Sequence, residues 1–154
     1  MMAGLRDLYE EVILDHNRNP RNYQVTPHGA NRHAHGFNPV CDDEITVHLK
    51  LENGIITEAG FEGAGCAIST ASASMMTESI RGKSEAEVQE LFQNIHNLLT
   101  REGEAGDVGK LAVLAGVHEY PMRIKCATLP WHTLRAALKG ETGTVSTEPG
   151  HEHR

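Results

Sequence analysis

The chain is short of cysteine, of basic residues and of long apolar runs, and each shortage excludes something. Its 154 residues hold three cysteines, Cys41, Cys66 and Cys126. That number is odd and small, so a disulfide framework is excluded. Lys and Arg number 14 against 21 Asp and Glu, for a formal net charge of −7. Nucleic acid needs a basic surface for its phosphates, so it is not expected as a partner. No apolar run approaches the roughly 20 residues of a membrane span, so no membrane partner is expected. The stretch Met1–Leu14 breaks its apolar residues with Arg6, Asp7, Glu10 and Glu11. It has neither the apolar centre nor the cleavage site of a signal peptide, which points to a cytoplasmic protein.

What is present suits one domain. The chain is 39% hydrophobic, and a length near 150 residues commonly builds one core. Residues 1–140 are expected to form it, with the polar stretch 141–154 a disordered tail. Leu5, Leu8, Tyr9, Val12 and Ile13 recur at helical spacing and predict a helix near 4–16, ended by the segment containing Pro20. Residues 23–40 read as irregular, with room for one short strand. The helix predicted over 68–81 is closed by Gly82. Ser84 to Glu87 is a capping box. It opens a helix whose stripe is Val88, Leu91, Phe92, Ile95, Leu98 and Leu99. Residues 102–107 read as a loop and 108–117 as a short helix stopped by Pro121. Pro130 suits a first helical turn, which predicts a last helix over about 129–138 that buries Trp131 and Leu134.

Ile45, Val47, Leu49 and Leu51 alternate with Thr46, His48 and Lys50, the pattern of a strand with one buried face. A second strand is predicted over about 55–61, with Glu52-Asn53-Gly54 between the two as a hairpin signal. A two-residue Asn53-Gly54 turn sets Ile45 against Glu62 and Leu49 against Glu58. A three-residue loop sets Ile45 against Phe61 and Val47 against Ala59. The second register keeps the apolar rows together and is the one expected.

Continued past the strand ends, that register lays Cys41 opposite Gly65, one residue from Cys66. Cys41 and Asp43 are two apart on an extended segment and share a face. Two thiols and a carboxylate then converge, a donor set that suits zinc. Cys126 is the remaining thiol, but periodicity alone does not bring it to this point, and three unrelated buried thiols stay open as a reading. Cys66 precedes a helix, whose N-terminal partial charge favours its thiolate. Gly63-Ala64-Gly65 is not a phosphate loop, because no Lys-Ser/Thr pair follows it. His28, His33 and His35 match no tight ligand spacing with the cysteines and are not expected to be ligands.

Three motifs now resemble a family. Asn38-Pro39-Val40-Cys41-Asp42-Asp43, Phe61-Glu62-Gly63-Ala64-Gly65-Cys66-Ala67-Ile68-Ser69 and Arg123-Ile124-Lys125-Cys126-Ala127-Thr128-Leu129 are similar to the three cysteine motifs of the IscU/NifU N-terminal iron–sulfur assembly family. Leu8 to His16, Asn19 to Asn22, Met75-Met76-Thr77 and Gly82-Lys83-Ser84 add to the likeness, which spans roughly residues 5–138. Two features point to the SufU branch. Lys125 stands where IscU-type scaffolds have His, and residues 97–120 are long enough for the insertion of that branch. Asp42 stands where the family usually has Gly.

The resemblance implies an α+β fold, with a small antiparallel sheet of about three strands packed against four to six helices. It implies a zinc site of Cys41, Asp43, Cys66 and Cys126. It also implies a zinc-dependent sulfurtransferase that accepts persulfide sulfur from a SufS-type cysteine desulfurase and passes it to a downstream iron–sulfur scaffold. Three thiolates and a carboxylate on Zn²⁺ leave a formal charge of about −2, which Lys125 partly offsets without competing for the metal. A closed tetrahedral site holds no free nucleophile, so one thiolate must be released for transfer. Cys41, in the loop after Pro39, is the expected acceptor. Arg123 and Lys125 are auxiliary candidates beside the site. The alternative is a scaffold on which an iron–sulfur cluster is built from the same cysteines.

Overall fold

The structure, a computed structural model, describes residues 5–39, 43–101, 103, 106–140 and 144–146. Cys41 and Asp42 therefore lie outside the described residues, as does most of the tail. The chain runs α1 (Leu5–Arg18), β1 (Arg32–Asn38), β2 (Asp43–Glu52), β3 (Ile55–Ala64), α2 (Ala67–Ile80), α3 (Glu85–Thr100), a 3-10 segment (Gly109–Glu119), a 3-10 turn (Pro121–Arg123), α4 (Ile124–Lys139) and β4 (Thr144–Ser146). The sheet order is β3-β2-β1-β4, with the first three strands antiparallel and β4 parallel to β1. Helix α4 lies across β1 and β2, and α2 packs between α1 and α4. This is the expected α+β class.

α1 and α2 meet through polar as well as apolar groups. Tyr9 and Ile13 are buried on one stripe of α1, and the same stripe carries His16, 8% exposed. His16 Nδ1 lies 2.7 Å from Ser74 Oγ, which also accepts the Arg21 N–H at 2.8 Å. Asn22 donates to Thr77 Oγ1 at 3.0 Å. The turn after α1 is thus bound to the middle of α2. α2 is buried nearly all round, as a central helix must be to have so weak an amphipathic pattern.

The hairpin departs from the expected register. Val47 pairs with Phe61 and Leu49 with Ala59, while Glu52 pairs with Ile55 across the two-residue Asn53-Gly54 turn. Both turn residues have positive φ, 53° and 78°, the type I′ geometry that Asn-Gly favours. The conflict that spoke against this turn is resolved by a bulge. Lys50 pairs with Glu58 but Leu51 with Ile56, so Thr57 is an extra residue on β3. One inserted residue flips the side-chain phase and brings the apolar rows back to one face. Thr57 Oγ1 donates to Lys50 O at 3.2 Å and closes the bulge.

Four further points differ or sharpen. β1 occupies seven residues of the stretch read as irregular. α4 begins at Ile124, five residues early, with Pro130 inside it. Packing of Ala127, Leu129, Trp131 and Leu134 into the core extends the helix past the position that proline prefers. Within the stretch 141–154, Thr144–Ser146 forms β4 beside β1, and the other residues lie outside those described. The segment read as a short helix is of 3-10 type, and its buried residues explain that: Val108, Leu111, Leu114 and Val117 recur every third residue, the period at which 3-10 side chains eclipse.

Candidate metal centre

The hairpin and two helix starts deliver three donors to one point. Glu44 pairs with Ala64 at the end of the β2–β3 ladder. Asp43 is one step beyond, and its Oδ1 accepts the Cys66 N–H at 2.8 Å. Gly65 allows this approach: a Cβ there would stand 3.2 Å from Asp43 Oδ1 and 3.3 Å from Ser69 Oγ. Gly63 sits at φ 136°, where a Cβ would strike the Glu44 carbonyl. Gly63 is therefore a conformational necessity of the site, while Gly65 spares Asp43 and Ser69 a tight contact.

Cys66 is the N-cap of α2, and its Sγ accepts the Ser69 N–H at 3.4 Å. Its thiol is pulled down to about 6, chiefly by a hydrogen bond from Cys126, with help from the Ser69 and Ile68 amides against burial and the Asp43 charge. Cys126 comes from the first turn of α4 and is fully buried. Pro130 has no N–H, so position 130 cannot bond the Cys126 carbonyl as a regular helix would. Ser72 Oγ donates to the Ala127 carbonyl at 2.7 Å and accepts the Trp131 indole N–H at 3.1 Å, which ties α4 to α2 beside the cysteine. Asn38, 0% exposed at the end of β1, donates to Cys126 Sγ at 3.8 Å.

Asp43, Cys66 and Cys126 place one donor atom each within 4.8 Å of one another. Cys41 lies outside the described residues. Lys125 and Arg123 are exposed at the start of α4. Arg123 lines a groove of about 480 Å³ with Tyr9, Ala67, Ile68 and Tyr120. His33 and His35 lie in β1, away from Asp43 on the opposite sheet face. Two contributors had no role in the sequence reading. Asn38 was legible only as part of a motif. Tyr9 was read only as helix stripe, yet its phenol is pushed far above its usual range, first by burial and then by Tyr120 and Cys66.

The donor set fits a cation. Asp43 is 1% exposed, and its Oδ2 finds no hydrogen-bond partner among the described residues. Leaving a buried carboxylate oxygen unpaired costs several kcal/mol, roughly, unless a cation meets it. Two sulfurs beside it make the cluster borderline-soft and suited to zinc.

Fold and cluster together define a small α+β domain with a candidate metal site of mixed thiol and carboxylate donors. A model of the NifU-like N terminal domain matches residues 8–127, and the chain belongs to that family. It is 39% identical over 143 residues to the zinc-dependent sulfurtransferase SufU of Bacillus subtilis, covering 92% of this chain and 96% of that protein. It is 40% identical over 135 residues to the iron-sulfur cluster assembly scaffold protein IscU of Thermotoga maritima, covering 86% and 93%. A crystal structure from Fervidobacterium islandicum AW-1, described as an iron-sulfur cluster assembly scaffold protein for the SUF system, superposes with a TM-score of 0.75 at 34% identity, covering 88% and 99%. Among the described residues, no helix is long and apolar enough to cross a membrane.

Proposed function

We propose that this protein is a zinc-dependent sulfurtransferase of iron–sulfur cluster assembly. It accepts persulfide sulfur from a SufS-type cysteine desulfurase on Cys41 and passes it to a downstream iron–sulfur scaffold. The observation that carries this reading is the convergence of Asp43, Cys66 and Cys126, with one carboxylate oxygen unpartnered among the described residues. The likeness to a relative named as a zinc-dependent sulfurtransferase supports it.

Zinc would be held by Cys41, Asp43, Cys66 and Cys126, and when bound it keeps its sulfur ligands as thiolates at neutral pH. Cys66 and Cys126 are unsuited to carrying sulfur away. One caps α2 and the other is buried in α4. That leaves Cys41. Its thiolate attacks the outer sulfur of the desulfurase persulfide, a new S–S bond forms on Cys41, and the partner's S–S bond breaks. The partner cysteine leaves as thiolate, so atoms and charge balance without an added oxidant. Arg123 and Lys125, exposed next to Cys126 in the chain, would add positive charge on the side of the site that a partner meets. Asn38 donates to Cys126 and steadies a sulfur that does not take part.

Incubation with a SufS-type desulfurase and cysteine, followed by intact mass measurement, tests the proposal. One added sulfur that reducing agent removes is expected on the native chain and not on Cys41→Ser. Equal loading of both chains sinks the acceptor assignment. No loading of either leaves only a structural site and sinks the activity. The cluster-scaffold reading has the Thermotoga relative in its favour. Anaerobic purification separates the two, since the scaffold would be brown and the zinc form colourless.

A further inference from the structure

On the sheet face turned away from α4, one side chain from each of three strands joins in a row. His33 of β1 and His48 of β2 stand directly opposite in the antiparallel ladder. Their Nδ1 atoms are 2.7 Å apart, and their rings meet edge to face with centroids 4.9 Å apart. Behind them, His48 Nε2 lies 2.7 Å from Glu62 Oε2 of β3. His33 is exposed and His48 nearly buried. None of the three belongs to the cysteine cluster.

The hydrogen bonds dictate where the protons lie. An ionised carboxylate only accepts, so His48 carries a proton on Nε2 and, as a neutral ring, turns its Nδ1 lone pair toward His33. A carboxylate that fixes the tautomer and orientation of an imidazole is the usual outer partner of a metal-binding histidine. His33 Nδ1–H then donates to that lone pair across the 2.7 Å gap. A metal ion that displaces this one proton meets two Nδ1 lone pairs aimed at the same place.

We infer that His33 Nδ1 and His48 Nδ1 form a two-imidazole chelate for a borderline divalent transition-metal ion, with Glu62 as the positioning residue for His48. Metal–nitrogen bonds near 2.0–2.1 Å in tetrahedral geometry set two ligand atoms roughly 3.3 Å apart. The rings need to open by only about half an ångström, a small rotation that the exposed His33 side chain can supply. Water fills the remaining positions. Neutral imidazoles select Ni²⁺, Cu²⁺ or Zn²⁺ over Mg²⁺ and Ca²⁺. Glu62, with Glu44 beside His35 at 3.0 Å, supplies negative charge on this face. Lys50, the cation two residues from His48, is 3.9 Å from Glu52.

Calorimetric titration of the purified full-length chain with Ni²⁺ tests this, with the metal already present measured before and after. One additional equivalent is expected, with the resident metal retained. His33→Gln and His48→Gln should each weaken it at least tenfold, Glu62→Gln a few-fold, and His28→Gln not at all. In the unaltered chain, substoichiometric Ni²⁺ should broaden the imidazole NMR signals of His33 and His48 first, a readout that needs no variant to fold. The inference is overturned if no extra equivalent binds, if binding survives His33→Gln, or if broadening falls first on other histidines such as His151 and His153.

Discussion

Asp43 and Glu62 are carboxylates on the same hairpin, on opposite faces of one sheet. Asp43 faces inward at 1% exposure, with one oxygen bonded to a backbone N–H and the other unpartnered among the described residues. Glu62 faces outward, half exposed, and accepts from His48. Burial makes the difference. An inward carboxylate must find a cation, because the interior does not solvate it. An outward one keeps water and serves to orient a neighbour. The inner face therefore combines charge with soft sulfur, and the outer face combines imidazole nitrogen with a solvated carboxylate.

The largest contrast should appear on removing donors. Cys126→Ser and Asp43→Ala are expected to lose bound zinc, with affinity down at least a hundredfold. The melting temperature should then show no response to added zinc. Glu62→Gln on the outer face should leave zinc content at the native level. Metal analysis and melting curves of the three chains check this. Equal zinc in Asp43→Ala and Glu62→Gln would erase the distinction between the faces.

The faces should also differ in tolerance of volume. Gly36 lies on the inner side of β1, where an added Cβ would meet Thr133 Oγ1 of α4 and stand 3.1 Å from Leu129. Gly36→Ala should cost about 2–3 kcal/mol by overpacking the β1–α4 seam. Glu44→Gln, on the outer side of β2, should stay within about 0.5 kcal/mol. Urea unfolding of both variants measures the gap.

A third test concerns a half-buried base behind the inner face. His132 of α4 is held down to about 4 by burial first, then by Arg135 and His96. Its folded value lies below the usual 6.5, so the unfolded chain binds the extra proton more readily. Its neutral form is accommodated at pH 7, and stability falls as pH drops from about 6.5 through 4. The loss should reach about 2 kcal/mol, below the full 1.36 kcal/mol per unit because the ring keeps some contact with water. His132→Gln should flatten that part of the acid profile relative to the native chain. Identical slopes for both chains would show that burial does not penalise this imidazole.

Much of this arrangement was legible in the sequence, and the failures have physical causes. Alternation marked β2, the capping box marked α3, and three motifs marked the cysteines. The register was misread because a bulge at Thr57 has no signature in residue type, only in the pairing it repairs. The start of α4 was misread because Pro130 advertises a first turn, while core packing carried the helix back to Ile124. That error hid the position of Cys126, which belongs to the helix rather than to a loop before it. The row His33–His48–Glu62 was invisible because the short strand allowed for in residues 23–40 had no bounds or register, and cross-strand neighbours exist only once both strands are placed.

The smallest effect tests whether local signals add to this picture independently. Ser84 Oγ accepts the Glu87 N–H at 3.2 Å, and Glu87 Oε1 accepts the Ser84 N–H at 2.8 Å. The Ser84 carboxylate partner is held low by these bonds, so Glu87 stays ionised and favours the positive end of α3. The cap lies at the far end of α2 from Cys66, beside the hairpin turn, where Glu85 donates its N–H to the Gly54 carbonyl. Ser84→Ala should therefore cost about 1 kcal/mol in stability while leaving zinc content unchanged. Loss of zinc in that variant would mean that the inner site depends on the whole length of α2 rather than on its first turn.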